Sequence, residues 1–345
     1  MIVSGRGVDD VASRGEPAGM SAPSSEEQLR FDGRVAVVTG GGRGLGRAYA
    51  LALAARGARV VVNDLGGSLF GEGTDAGPAA AVAAEIRAAG GEALANDADV
   101  VSEDGAASIV AAAVDAWGRV DVVVNNAGIL VPGALPGLGA ADLRRHLDVH
   151  VVGAFNVTRA AWPHLVEQGY GRVVLTTSVG MFGGEHLVSY ATAKGACVSL
   201  GRSLADAGRA HGIRVNMIAP AADTRMVTDP AFRERSGLPP LAPEHAPDPA
   251  RGPDRAAPML LVLAHESCPA TGEVLSAGLG RFARVFWAET AGVVADLQPE
   301  DVRARWAEIV DPSSPVVPTS TSDAVRAREA RIAAARAEAA GPGGH

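Results

Sequence analysis

The sequence predicts one α/β domain, a doubly wound parallel sheet with helices on both faces, followed by a C-terminal extension. Three features carry that expectation. Short, unbroken apolar runs alternate with Ala-rich stretches of helical length over residues 33–219, and strands buried on both faces read as continuous apolar runs. A Gly-rich turn, Thr39-Gly40-Gly41-Gly42-Arg43-Gly44-Leu45-Gly46, joins the first such run to the first helix. Hydrophobic residues make up 47% of the 345 but aromatic ones only 4%, so abundant Ala and Gly must let the helices pack closely on the sheet.

Taken in order, Val35-Ala36-Val37-Val38 is a buried strand and residues 45–56 an Ala/Leu helix. Arg59-Val60-Val61-Val62-Asn63 is the second strand. Helix then follows over 79–89, strand over 93–96, helix over 104–117 and strand over 120–124. Helices over 149–167 and 189–210 precede strands over 172–177 and 213–219. Residues 1–29, rich in Gly, Ser, Pro and charge, read as a disordered leader in which Met20 offers another start. The domain itself is expected over 30–285. Residues 228–258, with Leu238-Pro239-Pro240 and His245-Ala246-Pro247-Asp248-Pro249, break the rhythm as a substrate lid or solvated insertion. An extension over 286–345 closes with an Arg/Glu/Ala helix over 323–340 whose charged surface places it outside the core.

Bulk properties exclude several function classes. The net charge of −8 and pI of about 5.5 argue against nucleic acid or anionic membrane as partners. No apolar run approaches the roughly 18 residues of a membrane span. The N-terminus lacks a signal peptide's apolar core, and Pro342-Gly343-Gly344-His345 is no peroxisomal address. Cys197 and Cys268 are too few for a disulfide scaffold, which suits a reducing cytoplasm. His265 and Cys268 have metal-ligand residue types, but one His and one Cys make no site, so no metal is expected.

The turn at Gly40, Arg43, Gly44, Leu45 and Gly46 suits a dinucleotide, because glycines let the backbone approach a pyrophosphate whose charge the helix N-terminus stabilises. Asp64, at the end of the second strand, can accept hydrogen bonds from ribose hydroxyls and repel a 2′-phosphate, which favours NAD. Arg43 is a countervailing charge that could serve NADP. The carboxylate is expected to win, since burying it against a phosphate costs several kcal/mol. Asp99 and Val100, after the third strand, suit the adenine, although Asp99 reads equally as a surface acid before a helix. Asn125-Asn126-Ala127-Gly128 ends the fourth strand, where backbone meets cofactor at the sheet crevice.

Of the 31 Lys and Arg residues only Lys194 is lysine. It follows the scarce Tyr190 by four residues, on one helical face. An ammonium about 4–5 Å from a phenol stabilises phenolate by ~3–4 kcal/mol at an effective dielectric near 20. That is roughly two to three pKa units, enough to make Tyr190 a general acid/base near neutral pH. Ser178, at the end of the fifth strand, can hold the same substrate oxygen. These residues, with Thr39–Gly46, Asn126, Ala127 and Gly128, resemble the short-chain dehydrogenase/reductase family, over about residues 33–280. The resemblance implies a Rossmann-type sheet, Tyr190 and Lys194 contacting both cofactor and chemistry, and Pro220-Ala221-Ala222-Asp223-Thr224-Arg225-Met226 along the nicotinamide, with Pro220, Thr224 and the backbone of Ile218 as contacts. Two departures matter. Ser178 lies twelve residues before Tyr190 where the family usually has thirteen, the spacing of Thr177. His150 stands where many members have a catalytic Asn; it either bridges a relay water toward Lys194 or merely packs the helix.

Val62-Asn63-Asp64-Leu65-Gly66-Gly67, Val149-His150, Thr158-Arg159-Ala160-Ala161-Trp162 and His265-Glu266-Ser267-Cys268 narrow this to a subgroup. They resemble the dehydrogenase modules of type 2 peroxisomal multifunctional enzymes. That resemblance implies NAD-dependent oxidation of a (3R)-3-hydroxyacyl-CoA thioester in a homodimer or homotetramer. The hydratase and sterol-carrier modules have no counterpart here, so a free-standing bacterial enzyme is expected. The longer, Pro-rich lid keeps a steroid-like ketone or alcohol, or a secondary-metabolite ketone, open as substrate. A nucleotide-binding protein without activity is the remaining alternative, disfavoured by intact Ser178, Tyr190 and Lys194.

Overall fold

A computed structural model describes residues 28–224, 228–236, 239–241 and 248–339. Most of the expected leader, with Met20, lies outside the described residues, as do Arg225 and Met226, parts of the expected lid and the last six residues.

Eight strands form one sheet in the order β3-β2-β1-β4-β5-β6-β7-β8. They are β1 (Val35–Thr39), β2 (Arg59–Asn63), β3 (Ala93–Asn96), β4 (Val122–Asn125), β5 (Gly171–Thr176), β6 (Ile213–Pro220), β7 (Val274–Gly278) and β8 (Arg281–Val285). The first seven are parallel; β8 turns back antiparallel on β7. Strand order reverses between β1 and β4, which opens a crevice at their carboxyl ends.

Period-two alternation sends the strands' side chains to two cores. Ala36, Val38, Val60 and Val62 pack under α1 (Gly44–Ala54), α2 (Gly77–Ala88) and the apolar helix Ala257–Ala264. Val35, Val37 and Val61 pack under α3 (Glu103–Trp117), α5 (Gly153–Gln168) and α6 (Val188–Gly208). Each such Val, removed from water, contributes ~1.5–3 kcal/mol before entropy is counted. Ser102 caps α3 by accepting the Gly105 N–H at 3.2 Å, and Gly118 ends it at φ 73°, the left-handed stop that glycine adopts without strain.

The helix expected over 149–167 begins earlier. A polar helix, α4 (Ala140–Leu147), runs through a π-helical turn, Asp148–Val152, straight into α5. Its sequence, Ala-Ala-Asp-Leu-Arg-Arg-His-Leu, has too few apolar positions to show a helical period. The helix Ala257–Ala264 was equally illegible for the opposite reason, being apolar on every side. The β7–β8 hairpin was not foreseen from the sequence. Its two-residue turn is Leu279-Gly280, both at positive φ (53° and 76°), a geometry that normally announces itself as Asn-Gly.

Beyond β8 the extension bends back on the domain. Glu289 pairs with Val316, Thr290 Oγ1 donates to the Ile309 carbonyl at 2.7 Å, and Arg202 of α6 donates to the Pro318 carbonyl. The expected terminal helix forms over Thr321–Ala339. Among the described residues no helix is long and apolar enough to cross a membrane.

Leu279 holds a left-handed conformation that costs a branched L-residue roughly 1–2 kcal/mol. Leu279→Asn should therefore raise the free energy of unfolding by about 1 kcal/mol. A urea melt with an unchanged midpoint would show that the hairpin relaxes without strain.

Candidate active site

The crevice at β1 and β4 is built by a short hydrogen-bond lock. The Thr39 hydroxyl accepts the N–H groups of Asn126 and Ala127 at 3.0 and 3.1 Å. In return the Asn126 amide donates to the carbonyls of Thr39 and Gly40, both at 3.1 Å. Gly40 and Gly44 sit at φ 61° and 51°, so the turn needs glycine at both. Gly46 lies beneath it, where an added methyl group would overlap the Gly40 carbonyl. Gly46 thus seats the helix against the turn instead of lining the space above.

That space is a cleft of about 380 Å³, walled by Gly40, Arg43, Gly44 and Leu45, by Asp64, Asp99 and Val100, and by Asn126, Ala127, Gly128 and Thr224. Asp64 is fixed by two backbone donors, Gly42 N–H and Gly66 N–H, each at 2.8 Å. Arg43 turns to the loop after β2: it donates to the Gly66 and Gly67 carbonyls at 3.4 and 3.3 Å and lies 3.8 Å from the Asp75 carboxylate. Asp99 accepts the Val101 N–H at 2.9 Å. Pro220 does not line the cleft; it ends β6 beside Ala277. The Ile218 carbonyl is taken by the Thr177 N–H at 2.8 Å.

A second constellation stands on α6. Tyr190 and Lys194 are 8% and 4% exposed. The Lys194 Nζ donates to the Thr176 carbonyl at 2.7 Å and lies 5.6 Å from the centre of the Tyr190 ring. Thr177 and Ser178 part company here. The Thr177 hydroxyl is spent on the Lys194 carbonyl at 2.7 Å. Ser178 Oγ accepts the Gly180 N–H at 3.0 Å. A Cβ on Gly180 would meet Tyr190 Cε1 at 3.0 Å and Ser178 Oγ at 3.3 Å. Gly180 is therefore the gap across which the serine and the phenol ring face one another.

His150, in the π-helical turn, connects the two parts. Its ring leans on Gly128, where a Cβ would come within 2.5 Å of Cε1, and stands edge-on to Tyr190 at 5.6 Å. Nε2 lies 2.8 Å from the Ile129 carbonyl and 3.3 Å from the Ile129 nitrogen, and Nδ1 is buried with no partner among the described residues. Burial first, then the Lys194 charge, hold this imidazole well below the ordinary histidine range, so it is neutral. Its carbonyl accepts the Cys197 thiol at 3.3 Å. Leu69, Leu130 and Phe232 close around Tyr190 as one buried apolar cluster, with Phe70 and Leu187 at its margin.

Sequence reasoning passed over Thr39, whose hydroxyl holds the crevice, and His146, which lies beside Tyr190 (ring centroids 6.2 Å). The i, i+4 spacing of His146 and His150 was the available signal. It also passed over Leu69, Leu130 and Phe232, single apolar residues on three separate segments with no period to mark them. His265 lies 3.1 Å from the Arg30 carbonyl, and buried Cys268 donates to the Ala270 carbonyl at 3.4 Å. Among the described residues no group of His, Cys, Asp and Glu could hold a metal ion.

The family model described as short chain dehydrogenase matches residues 34–233. The chain is 41% identical over 301 residues to the peroxisomal multifunctional enzyme type 2 of Mus musculus, covering 86% of this chain and 39% of the mouse protein. It is 39% identical over 289 residues to the peroxisomal hydratase-dehydrogenase-epimerase of Saccharomyces cerevisiae, covering 82% of this chain and 31% of that one. The chain thus spans between about three tenths and two fifths of the length of these two relatives. Among solved structures, a 7α-hydroxysteroid dehydrogenase complexed with NADH and 7-oxo glycochenodeoxycholic acid superposes with a TM-score of 0.63 at 30% identity, covering 75% of this chain and 98% of that one.

Gly46→Ala should abolish NADH binding, since the methyl group displaces the turn that the lock holds. Fluorescence titration with NADH checks it; wild-type affinity would mean that helix α1 shifts without disturbing the cleft.

Proposed function

The chain belongs to the short-chain dehydrogenase family, and from that premise we propose that it oxidises (3R)-3-hydroxyacyl-CoA thioesters to 3-ketoacyl-CoA with NAD, Tyr190 acting as the acid/base. The observation that carries the chemistry is the buried arrangement of Tyr190 with Lys194 on one side and Ser178 across Gly180 on the other. The apolar cluster around Tyr190 suits an acyl chain beside the reacting carbon, and the kinship with multifunctional and hydratase-dehydrogenase enzymes favours the thioester.

The cleft fits a dinucleotide: a glycine cradle at positive φ, a helix N-terminus and a space of about 380 Å³ lie together. Gly40, Gly44 and Leu45 would face the pyrophosphate, and Asp64 the adenosine ribose. Asp99, Val100, Asn126, Ala127, Gly128 and Thr224 would line the rest, and Tyr190 and Lys194, outside this wall, would meet the nicotinamide end. The bound nicotinamide supplies the hydride acceptor. Asp64 is held in place by two backbone donors, while Arg43 is turned onto the Gly66 and Gly67 carbonyls and toward Asp75. A 2′-phosphate would meet the fixed carboxylate without a free guanidinium to neutralise it, so NAD is favoured over NADP.

In the oxidative direction the Tyr190 phenolate takes the hydroxyl proton of the substrate while Ser178 donates a hydrogen bond to the same oxygen. Lys194 stabilises the phenolate, and burial strengthens that attraction by excluding water. His150, neutral and edge-on to Tyr190, would bridge a relay water toward Lys194. Pro220, away from the cleft wall, would act only by ending β6 beside Thr224. Two buried free thiols are compatible with a reducing cytoplasm, and a homodimer or homotetramer is the assembly we infer. A second reading, a hydroxysteroid or related ketone as substrate, is favoured by the likeness to the 7α-hydroxysteroid dehydrogenase.

The deciding measurement is the initial rate of NAD reduction with a (3R)-3-hydroxyacyl-CoA, its (3S) isomer and a hydroxysteroid. Turnover of the (3R) thioester alone is expected; turnover of the steroid alone would replace the proposal by the second reading. Tyr190→Phe should reduce turnover at least ~10³-fold while NADH still binds, and Lys194→Arg should lose at least ~10²-fold despite its retained charge. Wild-type rates in either would remove that residue from the chemistry. Asp64→Ala should narrow the preference for NAD over NADP by at least ~tenfold; an unchanged ratio of kcat/KM would take Asp64 out of cofactor choice.

A further inference from the structure

We propose that His146 is a positioning residue for Tyr190, forming with His150 a two-histidine clip that binds the segment after β4 to the π-turned helix and fixes the phenol ring between them. The proposal rests on the reading of Tyr190 as acid/base. Both imidazoles reach across to the same three residues. His146 Nδ1 donates to the Asp142 carbonyl at 2.8 Å, so its Nε2 carries the lone pair that accepts the Val131 N–H at 3.1 Å. His150 Nε2 engages Ile129, two residues earlier. Between those anchors lies Leu130, whose side chain packs on Tyr190.

The rings themselves complete the device. They lie nearly parallel, 12° apart with centroids at 6.1 Å, and the Tyr190 ring stands edge-on to both, at 6.2 Å and 78° for His146 and 5.6 Å and 83° for His150. The phenol thus has two imidazoles on one side and the Gly180 gap with Ser178 on another. His146 is fully buried and touches neither Ser178 nor Lys194 by hydrogen bond. Its role is to hold an angle. A loss of about 1 Å in the placement of an acid/base costs on the order of 10²-fold in rate.

The clip works only with neutral His146, because an imidazolium has no lone pair for the Val131 N–H. Burial is the largest influence keeping it neutral. Arg145 and Lys194 act in the same sense, opposed by the hydrogen bond to the Asp142 carbonyl and by the Asp142 charge; His150 and Tyr190 are the other titratable groups against it. The unfolded chain takes up protons on both histidines below about pH 6.5, and the folded chain resists them. Stability therefore declines as pH falls below that value, whereas turnover by the folded chain persists further down, until His146 itself takes up a proton at its lowered pKa.

The test uses the full chain in His146→Leu, His146→Asn and His146→Gln forms, with Tyr190→Phe alongside. Gln can present an acceptor to the Val131 N–H, Asn is too short, and Leu has none. We expect kcat to fall at least ~tenfold in the Leu and Asn variants, with the dissociation constant of NADH within ~threefold of wild type, and recovery to within ~threefold in the Gln variant. Because Gln does not titrate, that variant should also keep its turnover to a lower pH than the wild type. Should the Leu variant not fold, the contrast between Asn and Gln decides. Absorbance at 295 nm, taken as the difference from Tyr190→Phe, follows ionisation of Tyr190 without any substrate and should change in the Asn variant but not in the Gln one. Wild-type kcat and an unchanged phenol titration in the Asn and Leu variants would overturn the clip. Full turnover in Tyr190→Phe would overturn the acid/base reading beneath it, a separate outcome.

Discussion

Everything at this site depends on two side chains that keep the sheet open at one point. β1 and β4 are neighbours whose following connections leave in opposite directions, so their carboxyl ends form a crevice that the chain could otherwise fill. Thr39 and Asn126 prevent that by exchanging hydrogen bonds through backbone and side chain alike. The glycine turn is then held against the end of β4, with the Asn126–Gly128 segment across from it. His150 leans on the end of that segment, at Gly128, and reaches Tyr190. The cleft and the Tyr190–Lys194 pair are therefore positioned by one contiguous set of contacts running from β1 through β4 to α6.

The sheet through β6 could be read from the sequence because each strand is a short apolar run bounded by polar or Gly-containing turns. The turn and the Tyr190–Lys194 pair could be read because each depends on residues near one another in the chain. Ser178 could be placed only to within one residue, since Thr177 competes by spacing. Three dimensions separate them through the hydroxyls: Thr177 bonds the backbone of α6, and Ser178 faces the phenol. What the sequence left hidden is long-range. Leu69, Leu130 and Phe232 are unremarkable singly and meet only after four segments converge on Tyr190. The partners of Arg43, the carbonyls of Gly66 and Gly67, were hidden too, being backbone atoms that no side-chain motif reveals.

The solitary lysine follows from the same geometry. Thr176 and Thr177, at the end of β5, hold Lys194 at both ends: the Thr176 carbonyl takes the ammonium and the Thr177 hydroxyl donates to the lysine's own carbonyl. Sheet and helix are thus tied through the charged residue. Apolar side chains enclose Tyr190, and the Lys194 ammonium lies 5.6 Å from its ring centre. A compact ammonium can reach the Thr176 carbonyl and still direct other protons toward the phenol side, whereas a planar guanidinium spreads its charge over a fork that this 4%-exposed site would have to widen to admit. A chain that uses arginine everywhere else keeps lysine here because the enclosure that protects the chemistry from water also sets the size of the cation it can hold.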